Sequence, residues 1–168
     1  MDNFKRIARF EIVSFEQYRS AMDNLNDTEV KAIYDDIKIP KRATKGSAGY
    51  DFYAPYDLVI KPNEEVVIKT GIKSYMNSGE VLLIFVRSSL GFKYNVRLKN
   101  QVGVIDADYY NNSSNEGHIM VALKNEGTKE LVINTGDRLV QGVFINYLIS
   151  DDDAACGSRT GGIGSTNL

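Results

Sequence analysis

The sequence predicts an all-β domain, built as a sandwich, barrel or jelly roll, behind a short helical leader. Three observations carry that reading. After Pro55 the chain is a succession of short runs rich in β-branched and apolar residues; Gly, Asn and Pro punctuate those runs; and helical periodicity is confined to the leader. At 168 residues, one domain suffices to bury a core without covalent staples. Hydrophobic residues at 43% and charged residues at 25% describe a folded soluble protein and exclude a disordered one. A lone cysteine, Cys156, excludes an internal disulfide and points to a reducing compartment. Nothing after Met1 has the form of a secretory h-region, and no apolar run reaches membrane-spanning length. The net charge of −2 argues against bulk nucleic-acid binding, while arginines gathered locally can still hold a small anion.

Taken in order, residues 7–13 alternate as a strand, and Ser14-Phe15-Glu16-Gln17 has the form of a capping box. Phe15, Tyr18, Arg19 and Met22 then fall at helical spacing, which predicts a short helix to about Asn24. This leader reads as packing material. Residues 35–44, with Lys38, Pro40, Lys41 and Arg42, form either a solvated connection or a basic rim for an anion. Residues 46–54 carry small side chains that permit close backbone approach, and Asp51 and Tyr53 alternate with Tyr50 and Phe52 as in a strand. Further strands are read at 58–60, 65–69, 72–76, 81–86, 118–123, 131–133 and 139–149.

Polar stretches interrupt this pattern. Arg87-Ser88-Ser89-Leu90-Gly91 follows an apolar strand; a guanidinium beside two hydroxyls suits phosphate oxygens and equally suits a plain turn. In Gly136-Asp137-Arg138-Leu139-Val140-Gln141, Asp137 can pair with Arg138, and Gln141 can satisfy a neighbouring backbone. Residues 158–166 string glycines and hydroxyls together, as an anion-binding nest or a flexible end. The most telling stretch is Val102-Gly103-Val104-Ile105-Asp106-Ala107-Asp108-Tyr109-Tyr110, a strand that ends abruptly in two carboxylates and two phenols. Alternation sends Val104 and Asp106 one way and Ile105 and Ala107 the other, so Asp106 closes what reads as a core-type face. Its carboxylate is then either held by the backbone of the following turn or kept as a general base.

Jointly these stretches resemble the trimeric deoxyuridine triphosphatase (dUTPase) family, from about Ile37 to the C-terminus. Five family motifs occur in order: residues 48–54, 87–91, 103–109, 136–141 and 161–166. The resemblance implies a distorted β jelly roll over residues 35–155, a leader over 1–34 packed on it, and a glycine-rich tail over 156–168 that closes on the nucleotide. It implies a cytoplasmic homotrimer whose subunits share each site. The implied reaction is Mg2+-dependent hydrolysis of dUTP to dUMP and pyrophosphate, limiting uracil in DNA and supplying dUMP for dTMP synthesis, without nucleic-acid or membrane partners.

Residue by residue, Asp106 matches the carboxylate that activates water for attack on the α-phosphorus. Tyr109 matches the ring packed on the deoxyribose, where it leaves no space for a 2′-hydroxyl. Asn100 and the backbone of Gly103, Val104 and Ile105 match the hairpin that reads uracil. Arg87, Ser88, Ser89 and Gln141 match phosphate-side contacts, as do Gly164, Ser165 and Thr166 of the closing tail. Asp51 matches a carboxylate in the outer, water-mediated shell of the metal, which is itself held mainly by triphosphate and water. His118 reads as a sheet residue and not a ligand.

Three departures from the family pattern stand out. The Arg-Gly-Glu that commonly follows the motif tyrosine is missing; residues 111–117 form a polar insert read as a longer hairpin loop. Ile163 stands where the tail usually has Phe, and loses a ring–ring contribution of about 0.5–1.5 kcal/mol. Arg159 lies one residue closer to the glycines than the usual tail arginine, whose phosphate contact it would supply. Two alternatives accompany the enzyme reading. A deoxycytidine triphosphate deaminase would need a proton-transfer glutamate that the sequence does not offer, and a regulatory homologue could bind a protein partner through the leader or the 111–117 insert.

Overall fold

The structure, a computed structural model, describes residues 8–157, 159 and 161. Strand β1 (Arg9–Ile12) leads into α1 (Phe15–Ala21), which starts where the Ser14 hydroxyl accepts the Gln17 N–H at 3.1 Å. The Ser14 N–H itself donates to Glu116, 102 residues away, at 3.0 Å, in place of the reach-back by Gln17 that a capping box would supply. Helix α1 stops short of Asn24 because Met22 is already extended, at φ −100 and ψ 107. An unforeseen second helix, α2 (Asp27–Asp35), opens on a complete capping box: Asn26 accepts the Glu29 N–H at 3.0 Å, and the Glu29 carboxylate accepts the Asn26 N–H at 2.9 Å. Val13, Tyr18 and Val30 are buried in the same cluster as the strand residues. Burial of an aliphatic side chain such as Val30 contributes roughly 1.5–3 kcal/mol, so the leader is built into the core.

Twelve strands are described in all, and every pairing among them is antiparallel. The principal sheet runs β2 (Lys41–Arg42), β3 (Tyr50–Tyr53), β12 (Arg138–Asn146), β7 (Glu80–Val86), β9 (Gly103–Asp106). A second sheet runs β5 (Glu65–Lys69), β10 (Met120–Asn125), β8 (Val96–Leu98). Two ribbons complete the jelly roll: β1 with β6 (Ile72–Tyr75), and β4 (Leu58–Ile60) with β11 (Leu131–Ile133). Between the layers lie Phe52, Leu82, Ile84, Leu98, Leu123 and Leu139. At Gly142, in mid β12, an added Cβ would come within 2.9 Å of Leu82 and 3.0 Å of Phe52, so a side chain there would have to push these core groups aside.

This register positions the chemistry. Strand β12 sets Gln141 opposite both Asp51 and Phe85, while β9 sets Gly103 opposite Ile84 and Asp106 opposite Val81. The stretch after Arg87, open to reading as a turn, is helical: α3 (Ser88–Tyr94), closed by Asn95 in the left-handed region at φ 52. The basic pair Lys41 and Arg42 forms the exposed edge strand. His118 lies just before β10, fully buried, and its Nε2 accepts the Gly71 N–H at 2.9 Å. Burial pushes its pKa down to about 4.

Candidate functional site

The turn joining β8 to β9 is tight. Gln101 takes φ 66, its N–H donates to the Leu98 carbonyl at 3.1 Å, and the Val102 N–H donates to the Asn100 carbonyl at 2.7 Å. Beside it opens a cavity of about 500 Å3, lined by Asn100, Gly103, Val104, Ile105, Asp106, Tyr109 and Arg159, with Met120, Val121 and Ala122 as its apolar floor. Gly103 has a reason of its own to be glycine: a Cβ there would come within 3.0 Å of Ile84 on β7. The faces of β9 are the reverse of the sequence expectation. Val104 is 58% exposed and lines the cavity, whereas Ile105 and Ala107 pack against the core. Asp106 therefore ends the open face, at the cavity wall.

The backbone turns at Asp106 into a 3-10 turn (Ala107–Tyr109), yet the Asp106 side chain makes no hydrogen bond to that turn. The structural reading of this carboxylate, held by the turn that follows it, is thus excluded. Among the described residues its partner is Arg159, whose Nη2 stands 2.6 Å from Asp106 Oδ2 while its Nε stands 2.9 Å from Asp108 Oδ1. The same guanidinium lies 5.7 Å from the centre of the Tyr109 ring. A carboxylate has about four lone-pair positions, so one arginine contact leaves Asp106 able to accept from water.

Tyr109 is buried and tied at both ends. Its hydroxyl donates to the His118 carbonyl at 3.1 Å and accepts from Asn115 Nδ2 at 2.8 Å, and its own carbonyl accepts from Asn112 Nδ2 at 2.8 Å. The insert supplies both amides. It is wound into a compact turn in which Asn112 Oδ1 accepts the N–H groups of Ser114 and Asn115, and Asn111, Glu116 and Gly117 all take positive φ. Gly117 is obligatory, because a Cβ there would stand 2.5 Å from the Tyr109 carbonyl oxygen. Next along, Glu116 accepts from the Ser14 hydroxyl at 2.5 Å and from Lys73 at 3.3 Å. Burial pushes the Glu116 carboxyl up, but the Ser14 and Lys73 contacts outweigh it and hold the pKa below the usual value.

A second cleft, of about 380 Å3, lies between Arg87, Ser89, Tyr94, Leu131, Asp137 and Arg138. Here the buried Asp51 carboxylate is gripped by Arg87 Nε at 3.0 Å and by Arg138 Nη1 at 3.3 Å. Asp51, expected in the outer, water-mediated shell of the metal, has one oxygen on each of these two guanidiniums. Gln141, its neighbour in register, fills the space a side chain at Gly49 would need, at 2.8 Å. Ser88, at the start of α3, is exposed.

Within one chain, then, Asn100, Gly103, Val104, Ile105, Asp106, Tyr109 and Arg159 share one cavity, and Arg87 and Ser89 share another cleft in which Asp51 is the counter-charge. Ile163, Gly164, Ser165 and Thr166 lie outside the described residues. Among the described residues no three His, Cys, Asp or Glu side chains converge as a metal cage. Sequence reasoning missed Arg138, Asn112 and Asn115 as parts of these sites. Arg138 had a signal, a second arginine beside a phosphate-type motif, whereas the asparagines acquire their roles only when the insert folds back.

Residues 35–166 match the dUTPase family model. The deoxyuridine 5'-triphosphate nucleotidohydrolase of Lactococcus lactis subsp. lactis is 49% identical over 132 residues, covering 77% of this chain and 88% of that protein. The Desulfitobacterium hafniense protein of the same name is 38% identical over 139 residues, covering 78% and 88%. Among solved structures, the dUTPase from Streptococcus mutans superposes with a TM-score of 0.66 at 39% identity, over 85% of this chain and 98% of the other. The dUTPase from phage phi11 of S. aureus superposes with a TM-score of 0.65 at 20% identity, a likeness of fold covering 89% and 96%. By sequence over most of its length, and by the likeness of its fold to that of a relative 39% identical, the chain belongs to the dUTPase family.

Proposed function

We propose that this protein is a cytoplasmic, homotrimeric dUTP diphosphatase, which hydrolyses dUTP to dUMP and pyrophosphate. The observation that carries the reading is a carboxylate released from capping its own turn, Asp106, at the wall of an apolar cavity closed by a fixed tyrosine ring. The uracil enters against the Leu98 to Gly103 turn, where backbone groups and Asn100 face its polar edge. A wrong base edge would leave those groups unpaired, which is the strong form of discrimination. Tyr109 packs on the deoxyribose. Asp106 takes a proton from water as the oxygen bonds to the α-phosphorus; the bond from that phosphorus to the bridging oxygen breaks, and pyrophosphate leaves. Such a positioned base supplies about 10²–10⁴-fold in rate.

Arg87, Ser88, Ser89 and Gln141 are proposed to face the phosphates, with Arg138 beside them. The divalent cation is proposed to be Mg2+, neutralising charge on the triphosphate; the absence of a converging carboxylate set among the described residues suits an ion held by phosphate oxygens and water, with Asp51 acting through the arginines it orients. The homotrimer is supported by side chains no single chain covers: Phe92 and Leu148 are almost wholly exposed, and Val59 and Val132, paired across β4 and β11, are half exposed. It is supported also by the separation of the phosphate cleft from the nucleoside cavity, which a neighbouring subunit would join. Tail residues Arg159, Ile163, Gly164, Ser165 and Thr166 are assigned to closing over the bound nucleotide. The test is pyrophosphate release from dUTP, UTP, dTTP and dCTP in parallel, with and without Mg2+. Rapid metal-dependent release from dUTP alone is expected; no release from dUTP, or ammonia from dCTP, would overturn the reading.

A further inference from the structure

The insert that replaces the family's usual continuation after the motif tyrosine does not project from the molecule. Its amides are turned inward, onto Tyr109. Asn115 Nδ2 donates to the phenol oxygen at 2.8 Å, leaving the phenol proton free to reach the His118 carbonyl at 3.1 Å, and Asn112 Nδ2 fixes the tyrosine's main chain at 2.8 Å. Asn115 Oδ1 meanwhile accepts from Asn112 Nδ2 at 2.8 Å and from the Gly117 N–H at 3.1 Å, so this one side chain ties ring and loop together. The far end of the loop is anchored on the leader, where Glu116 receives both the N–H and the hydroxyl of Ser14. A phenol whose proton and one lone pair are both engaged has its oxygen held from two sides, which restricts the ring.

We infer that Asn115 is a positioning residue for sugar selection: its amide donor sets the Tyr109 ring, and through it the preference for a deoxyribose over a ribose nucleotide. The inference rests on the placement of the deoxyribose against Tyr109 in the proposed reaction. Asn115 touches neither substrate nor reacting atoms and acts through the ring alone.

The discriminating substitution is Asn115→Asp. It keeps the shape of the side chain and the acceptor for Asn112 and Gly117, but replaces the donor to the phenol by a charged acceptor, so that the phenol proton turns from the His118 carbonyl to the new carboxylate and the ring loses its two-sided hold. Measured on the intact enzyme, the kcat/KM ratio of dUTP to UTP should fall about 3- to 10-fold, the scale of one hydrogen bond, chiefly through KM for dUTP, with the thermal midpoint little changed. A double-mutant cycle gives the second reading. In a Tyr109→Phe background, which lacks the hydroxyl, Asn115→Asp should leave the ratio where Tyr109→Phe put it. A further fall of the same size in that background would show that Asn115 acts on the loop and not through the ring, and would overturn the inference. So would an unchanged ratio in Asn115→Asp while Tyr109→Ala still lowers it, an outcome that leaves the sugar reading standing. If Tyr109→Ala also leaves the ratio unchanged, the sugar reading itself falls and takes the inference with it.

Discussion

In the Asn112–Glu116 loop the amides and the carboxylate find partners within their own chain, whereas around Arg87 two guanidiniums converge on one buried carboxylate, and Arg138 keeps half its surface in solvent. The first region is finished before a ligand arrives. In the second, the charge of Asp51 holds two cations close together, an arrangement that repels itself less once a further anion is shared between them. On the proposed function, the contrast separates two tasks. Recognition of base and sugar requires fixed shape, because exclusion of a 2′-hydroxyl or of a wrong base edge fails if the wall can move. Recognition of phosphate requires charge held in the right place, and tolerates completion by other segments or subunits.

Asp106 stands at the cavity wall and is the proposed general base, and the largest effect is expected there. Asp106→Asn should lower turnover by roughly 10²–10⁴-fold while dUTP affinity, followed by calorimetry, is retained; loss of affinity together with the fold would assign the side chain to structure. Removal of residues 158–168 takes away the Arg159 contacts to Asp106 and Asp108 together with the tail proposed to close over the nucleotide. The truncated protein should remain a folded trimer that still takes up dUMP, yet release little pyrophosphate from dUTP, and substantial activity would show that the tail has no part in the site. Tyr109→Ala strikes the nucleoside side, and the expected outcome is a fall on the order of tenfold in the dUTP-to-UTP kcat/KM ratio, measured at saturating Mg2+.

The smallest effect concerns the support beneath Tyr109. His118 is held neutral in the fold, with a pKa of about 4 against an ordinary 6.5. As pH falls below 6.5 the unfolded chain takes up this proton first, so stability is complete above that value and is lost progressively toward pH 4. The thermal midpoint should therefore drop between pH 7.5 and 5. His118→Gln, which keeps an acceptor for the Gly71 N–H, should flatten that drop; an unaltered pH profile would mean that other groups cause it.

The strands were largely legible, because residues such as Leu58-Val59-Ile60 and Glu65-Val66-Val67-Ile68-Lys69 alternate or cluster in a way only a sheet satisfies. Helix α2 was missed, although the Asn26 and Glu29 pair and the Val30, Ile33, Tyr34 spacing carried a signal for it. Helix α3 was not: Arg87 gives it no side-chain cap, Gly91 interrupts it, and its seven residues are too few to establish a period. Of the site, Asp106 and Tyr109 are contiguous with a recognisable strand and could be found locally. The reversal of the two faces of β9 could not, since Val104 is as apolar as Ile105 and only the fold decides which of them meets the core. Nor could the link from Ser14 to Glu116, two ordinary polar residues far apart in sequence.

That link has a consequence for how the chain is made. At about 5–20 residues per second, synthesis leaves roughly 5–20 s between the emergence of Ser14 and that of Glu116. Strand β6, which receives β1, comes earlier, so the leader can pair with a strand well before the loop that anchors its helix exists. During that interval Tyr18 and Val30, buried at the end, face water. The segment from β1 to α2 is therefore made well before the loop that anchors it and is among the last to be locked, and a chain arrested before residue 116 should display the apolar side of α1 and α2 to any chaperone waiting at the ribosome.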